Sequence, residues 1–240
     1  MTTIWSPLRL YLEKSTRMIK ARQNTLKICF LFDSENDWIR PLLEETSALE
    51  RFEPIPIEIA YSADDVIDYN LVFVLGFTRK LSQNFCDRNE HVFIVHESDL
   101  PAGRGFSPVQ WQILEGKNLI PVCMIAASDE IDGGPVVFRS EMSLNGTELL
   151  AEIRAKQLEV TLTLIFDAIR QYPHFQFQPQ QEGRSEAYPR RTPRDSELDI
   201  NRSISEQFDL MRIASNDLWP LHFFIRGRKY ILRIQSDPWQ

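Results

Sequence analysis

The apolar positions of the chain fall into short runs that alternate with amphipathic stretches. Ile28-Cys29-Phe30-Leu31-Phe32 carries no polar residue, as expected of a strand whose sheet is covered on both faces. Asp33-Ser34 ends it, and Trp38, Ile39, Leu42 and Leu43 then recur at helical spacing, predicting a helix through Leu49. Pro56 to Ala60 and Leu71 to Leu75 read as the next two strands, the latter ending at Gly76-Phe77-Thr78, while Asp64 to Asp68 is too short to assign. Val92-Phe93-Ile94-Val95 is a fourth strand that runs into His96. A loop with Pro101, Gly103 and Gly105 follows, and Ser107-Pro108 marks a helix start with Ser107 as N-cap. That helix carries Val109, Trp111, Ile113 and Leu114 and stops at Gly116.

Ile120 to Ala126 and Pro135 to Phe138 predict two more strands, on either side of Asp132. Thr147 to Tyr172 predicts a long helix, capped by Thr147 and closed by Pro173, with an apolar stripe from Leu149 to Ile165. From Gln176 to Glu186 the composition turns to Gln, Pro, Arg and Glu, the pattern of a linker. Beyond it, Ser203-Ile204-Ser205-Glu206 has the form of a capping box, starting a helix that buries Phe208, Leu210, Met211 and Ile213. Phe223 to Arg233 reads as a hairpin turning at Arg226-Gly227. Leu8, Leu10, Tyr11 and Leu12, with Met18 and Ile19, suit a short amphipathic helix in a terminal extension. The order of elements predicts an α/β fold: a Rossmann-like, mostly parallel sheet flanked by helices, with a small α+β C-terminal module.

Composition changes this picture in four places. With 240 residues, 43% of them hydrophobic and 25% charged, the chain holds one full α/β domain and a small appendage. No apolar run approaches a membrane span and Met1 opens no signal-peptide pattern, so a cytoplasmic protein with no membrane partner is expected. Cys29, Cys86 and Cys123 are scattered without metal-ligand spacing; Cys29 and Cys123 lie in apolar strands and read as small buried hydrophobes, and no metal is expected. The net charge of −7 counts against binding a polyanion such as tRNA, and no nucleic-acid partner is expected. It leaves room for a local basic pocket and a small phosphorylated substrate.

The chemistry concentrates after the fourth strand, at the strand end where open α/β sheets place their ligands. His96, Ser98-Asp99-Leu100-Pro101, Arg104-Gly105 and Pro108 resemble the H-x-S-L-L-P-x-x-R-G-x-x-P signature of formyltransferases that use 10-formyltetrahydrofolate. That family includes methionyl-tRNA formyltransferase, glycinamide ribonucleotide transformylase and the sugar N-formyltransferases. Ile131-Asp132-Gly133-Gly134-Pro135 resembles the family's D-x-G loop, in the same order along the chain. Tyr188 to Asp199 resembles the Y-x-x-R-x-P-E-D-x-x-I-D segment behind the catalytic domain of sugar N-formyltransferases, and Trp219-Pro220 with Phe223-Phe224 that branch's Y-P-x-A-F-F stretch.

The resemblance implies a catalytic domain over residues 26–178, after an extension (1–25) and before a linker (179–187) and a C-terminal module (188–240). It implies transfer of a formyl group from 10-formyltetrahydrofolate to the amine of an amino sugar, nucleotide-linked, as in surface-glycan or flagellin sugar biosynthesis. Another small amine, methionyl-tRNA, or a degenerate folate- or sugar-binding role are the alternatives. Carried over residue by residue, His96 and Asp132 would be catalytic; Gly76, Phe77, Thr78, Ala126, Ala127, Asp129 and Ile131 would cradle the folate; Ser98, Asp99, Arg104 and Gly105 would meet the acceptor. Taken alone, the same residues also suit a structural histidine, a turn aspartate, a core aromatic at Phe77, a loop cap at Asp99 and a salt bridge at Arg104. Trp219, Phe223 and Phe224 suit either a homodimer contact or a cover for the sheet.

One position departs from the pattern. The family's asparagine, two residues before the histidine and on the same strand face, is Ile94 here. Its amide would polarise the formyl oxygen, and loss of one such donor typically costs about 100- to 1000-fold in turnover. Backbone N–H groups, Ser98 or Asn118 are the candidate replacements.

Overall fold

The computed structural model describes residues 26–53, 55–181 and 187–237. The expected N-terminal amphipathic helix and most of the linker lie outside these residues. Six strands form one sheet in the order β2-β1-β3-β4-β5-β6: β1 (Ile28–Phe32), β2 (Ile57–Ala60), β3 (Leu71–Leu75), β4 (His91–His96), β5 (Leu119–Ala126) and β6 (Val136–Ser143). β2, β1, β3 and β4 pair in parallel, whereas β5 pairs antiparallel with both β4 and β6. The α/β, mostly parallel sheet expected from the sequence is therefore what forms.

Strand parity decides which residues meet which layer. Ile28, Phe30 and Phe32 of β1, Leu71, Phe73 and Leu75 of β3 and Phe93 of β4 pack with α4 (Leu150–Gln171), through Ile153, Leu158, Leu162, Ile165, Phe166 and Ile169. α1 (Ile39–Glu45) adds Ile39 and Leu43 to this layer. The alternate residues Cys29, Leu31, Val72, Val74 and Val92 face Val66, Leu81 and Phe85 on the other side. Phe85 belongs to α2 (Gln83–Asp87), a single turn that the sequence pattern did not predict, capped by the Ser82 hydroxyl at 3.2 Å from the Phe85 N–H. Cys29 and Cys123 are fully buried and their thiols are pushed up to about 12 by burial, and all three cysteines are free, in line with their reading as hydrophobes.

Several boundaries differ from expectation, each for a local reason. The first helix ends at Glu45 rather than Leu49, because Ser47 turns into the left-handed region (φ 49°) and a 3-10 turn, Ala48–Phe52, buries Ala48 and Phe52. In α3 (Pro108–Leu114) Ser107 stands at the N-cap but is itself left-handed (φ 52°) and caps nothing with its side chain. α3 is closed by Gly116 as expected, whose N–H donates to Ile113 while Lys117 N–H reaches Gln112, a Schellman closure. α4 starts at Leu150, not Thr147: the Thr147 hydroxyl is turned back to Asn145, and Glu152 accepts the Leu149 N–H at 2.9 Å. β6 runs on to Ser143, beyond the predicted Phe138.

The C-terminal segment folds onto the sheet domain. The expected capping box is present, Glu206 accepting from Ser203 N–H at 2.8 Å, and leads through a 3-10 turn into α5 (Phe208–Arg212). Met211 and Ile213 are buried, Phe208 and Leu210 only half so. β7 (Leu221–Ile225) and β8 (Arg228–Leu232) form the predicted hairpin, with Arg226 and Gly227 both at positive φ as a type I′ turn requires. The anchor is Arg212, 1% exposed, whose guanidinium donates to the Glu148 carbonyl and carboxylate, to Asn118 and to Asp209.

Glu148 sits at the centre of that network, also held by Lys156 Nζ at 2.6 Å and by the N–H groups of Asn145 and Gly146. Burial alone would raise its carboxyl, but these donors win and hold it at about 2. A carboxyl that protonates less readily folded than unfolded contributes stability above its ordinary value, lost as the pH falls through the folded one. Urea-unfolding free energy should therefore decline from about pH 4.5 to about pH 2, and Lys156→Met should flatten that decline.

Candidate functional site

A cleft of about 500 Å³ opens at the C-terminal ends of β3 and β4. Its walls are the loop after β1 (Glu35, Asn36, Trp38), the loop after β3 (Gly76 to Leu81), the end of β4 (Ile94 to Glu97), the start of α3, the Asp132 loop and part of α4. His96 ends β4 and is 6% exposed. Its Nε2 lies 2.9 Å from the Gly103 carbonyl, which can only accept, so this nitrogen carries the proton. The neutral ring's free lone pair is then on Nδ1, which faces Asp132 Oδ1 at 3.7 Å. That distance is too long for a direct hydrogen bond but sets the carboxylate on the side of the Nδ1 lone pair.

Asp132 is placed by glycines on both sides. Its Oδ2 accepts the Gly105 N–H at 2.8 Å, tying the two sequence motifs together. Gly105 has φ +99° and a β-carbon there would stand 2.4 Å from the Tyr188 carbonyl oxygen. At Gly134 a β-carbon would stand 1.7 Å from the Ala126 carbonyl, so the Asp132 loop closes onto β5 only with glycine at that position. Gln180 braces the same loop, its amide donating to the carbonyls of Asp132 (2.6 Å) and Gly134 (2.8 Å). The sequence pattern gave Gln180 to a linker; it is a structural part of the site.

The loop after β3 is fixed from beneath. Asp33, 1% exposed, accepts both the N–H and the hydroxyl of Thr78, at 3.0 and 2.6 Å. Burial would raise the Asp33 carboxyl, but the bonds from Thr78 and Glu35 hold it below the usual carboxylate range. Asn36 donates to the Gly76 carbonyl at 2.8 Å. Gly76, Phe77 and Thr78 thus line the cleft in a held conformation, with the Arg79 guanidinium over the Phe77 ring.

Of the expected site residues the structure brings Gly76, Phe77, Thr78, His96, Gly105, Ile131 and Asp132 to one cleft. The others stand off its walls. Ala126 and Ala127 spend their N–H groups on Pro135 and Val92, closing the sheet. Asp129 is exposed, and Asp99 pairs with Arg139 at 2.6 Å instead of capping its own loop. Ser98 is buried, with its carbonyl 3.4 Å from the Cys123 thiol. Arg104 is paired with Glu130 and with Gln180 (2.9 Å), the salt-bridge alternative to a phosphate contact. Asn118, one candidate for the missing amide, is held by Arg212 away from the cleft.

A formyl transferase family model matches residues 58–169, a span that holds both motifs. The methionyl-tRNA formyltransferase of Thermosynechococcus vestitus is 26% identical over 131 residues, 54% of this chain and 40% of that protein. Over residues 58–169 the chain is similar to the formyl transferase family. It spans between 40% and 51% of the length of the curated relatives it matches. Among solved structures, methionyl-tRNA formyltransferase from Clostridium thermocellum superposes with a TM-score of 0.69 at 18% identity, covering 89% of this chain and 94% of that one. HypX from Aquifex aeolicus in complex with tetrahydrofolic acid gives 0.67 at 18% identity, over 88% and 38%. A sugar N-formyltransferase from Shewanella gives 0.64 at 14% identity, over 90% and 100%. At these identities the likeness is one of fold.

Within this cleft Ile94 lies on the wall where the resemblance would put an amide. A cleft residue that sequence reasoning missed is Glu97. It follows Phe93 and Val95 on the α4 side by strand parity, lines the cleft, and accepts a hydrogen bond from Gln157 of α4. Burial pushes its carboxyl above the usual range, against the pull of His96 and of the Gln157 bond. The alternation of the strand carries this signal, since Glu97 extends an otherwise apolar face. A buried acid that ionises less readily folded than unfolded costs stability as the pH rises past its ordinary value. Glu97→Gln should therefore be more stable than the wild type at pH 8, with the gap closing toward pH 4, by thermal unfolding.

Proposed function

We propose that the protein transfers a formyl group from 10-formyltetrahydrofolate to the amine of an amino sugar that is linked to a nucleotide. The observation that carries this reading is His96, with Nε2 tied to Gly103 and Nδ1 free toward Asp132 at the floor of the cleft. When an acceptor amine attacks the formyl carbon it must lose a proton, and Nδ1 is the lone pair positioned to take it. Asp132 faces the imidazolium that results, and Gly105 keeps the carboxylate from turning away. Breaking the bond from the formyl carbon to the donor nitrogen returns that proton from Nδ1 to the departing amine. The held loop at Gly76 to Thr78 and the backbone around Ile131 are the walls available to a flat pterin. A small acceptor suits the net charge of −7 better than tRNA does.

Ile94 favours a second reading, a relative that binds folate or sugar but transfers slowly. The two readings separate in a transfer assay over a panel of nucleotide-linked amino sugars, with the formylated product followed by mass spectrometry. Wild-type turnover should fall about 100- to 10,000-fold in His96→Ala and in Asp132→Asn, with unchanged circular dichroism. Wild-type-like rates in either variant would overturn the assignment. A large gain of activity in Ile94→Asn would favour the slow relative.

A further inference from the structure

Arg104, the sequence's candidate for a phosphate contact, is engaged by Glu130 and Gln180. At the end of the cleft formed by α4 and the C-terminal segment stand two other arginines. Arg154, half-buried on α4, has no hydrogen bond or ion pair among the described residues; its guanidinium lies 5.3 Å over the Trp38 ring. Arg191 is 4% exposed and donates from Nη2 to the Asp195 carbonyl at 2.8 Å, while its buried Nε has no partner. The Asp195 carboxylate does not pair with it, being turned to the Thr192 hydroxyl at 2.9 Å. Beside it Ser196 is 1% exposed and its Oγ is also buried without a partner. All three residues line the cleft that holds His96 and Asp132.

Buried cations and hydroxyls without partners are costly, and native structures seldom leave them so. Burial lowers the affinity of both guanidiniums for their protons, unopposed at Arg154 and only partly offset by the Asp195 charge at Arg191. An anion reaching this end of the cleft would meet two guanidiniums and a hydroxyl, the donor set that suits phosphate oxygens.

We propose that Arg154, Arg191 and Ser196 form the subsite that binds the phosphate groups of the acceptor. The inference rests on the transferase reading in taking the occupant as the acceptor, and it makes the C-terminal segment, which supplies Arg191 and Ser196, a part of the substrate site rather than only a cover. The glutamate tail of the folate donor is the competing anion, and the test separates the two.

Calorimetric titration of the full chain with uridine diphosphate, thymidine diphosphate and 5-formyltetrahydrofolate is the experiment. The wild type should bind at least one nucleoside diphosphate, and Arg154→Gln should weaken that binding about tenfold to a hundredfold while leaving 5-formyltetrahydrofolate affinity unchanged. Arg191→Gln should act in the same direction; because Arg191 also braces the Asp195 carbonyl, Arg154→Gln decides the matter if that variant unfolds. No diphosphate binding by the wild type, or an Arg154→Gln effect confined to 5-formyltetrahydrofolate, overturns the proposal. Arg154-dependent diphosphate binding without any folate binding would leave the anion subsite standing and sink the formyl-transfer reading instead.

Discussion

The Gly105 N–H is the contact on which the site depends. It donates to Asp132 while the residues on either side of it pair with Tyr188, Arg104 accepting the Tyr188 N–H and Phe106 donating to the Tyr188 carbonyl. Three stretches distant in sequence thus meet at one backbone position where no side chain fits. The same loop supplies the Gly103 carbonyl that fixes the His96 ring. The orientation of both candidate catalytic residues is therefore set mostly by main-chain groups. A change in the C-terminal segment at Tyr188 would be felt at Asp132 through two hydrogen bonds.

The end of β4 explains why His96 and Glu97 share the cleft. His96 and Glu97 are consecutive and so point to opposite sides of the sheet, one toward the Asp132 loop and the other toward α4. Where the strand stops, the cleft reaches around both sides, and burial pushes one carboxyl up while the other is bonded to Gly105. Ile94 keeps the face before His96 apolar and shares its packing with Leu100 and Ile125. The wall beside His96 is thus greasier than the family signature would imply.

The strands, the long helix and the hairpin were legible because each depends on a local period or on a turn dipeptide such as Arg226-Gly227. So were the two motifs, since His96 and Asp132 are named by short fixed spacings. Helix starts were less so: Ser107 and Thr147 have the right chemistry for caps, but the chain approaches α3 and α4 in conformations that turn their side chains elsewhere. Partner choice across long distances was not legible at all. Nothing local says that Arg104 pairs with Glu130 and Gln180, that Gln180 clamps Asp132, or that Arg154 has no counter-ion among the described residues. These contacts are decided by which loops the fold brings together.

The central claim is that this cleft is a formyl-donor site organised by His96 and Asp132. Calorimetric binding of the stable analogue 5-formyltetrahydrofolate tests it most directly, because it requires no choice of acceptor. The account predicts micromolar binding that changes when His96 or Asp132 is substituted. An absence of binding at millimolar ligand would mean that the motifs serve only as scaffold and would contradict the account.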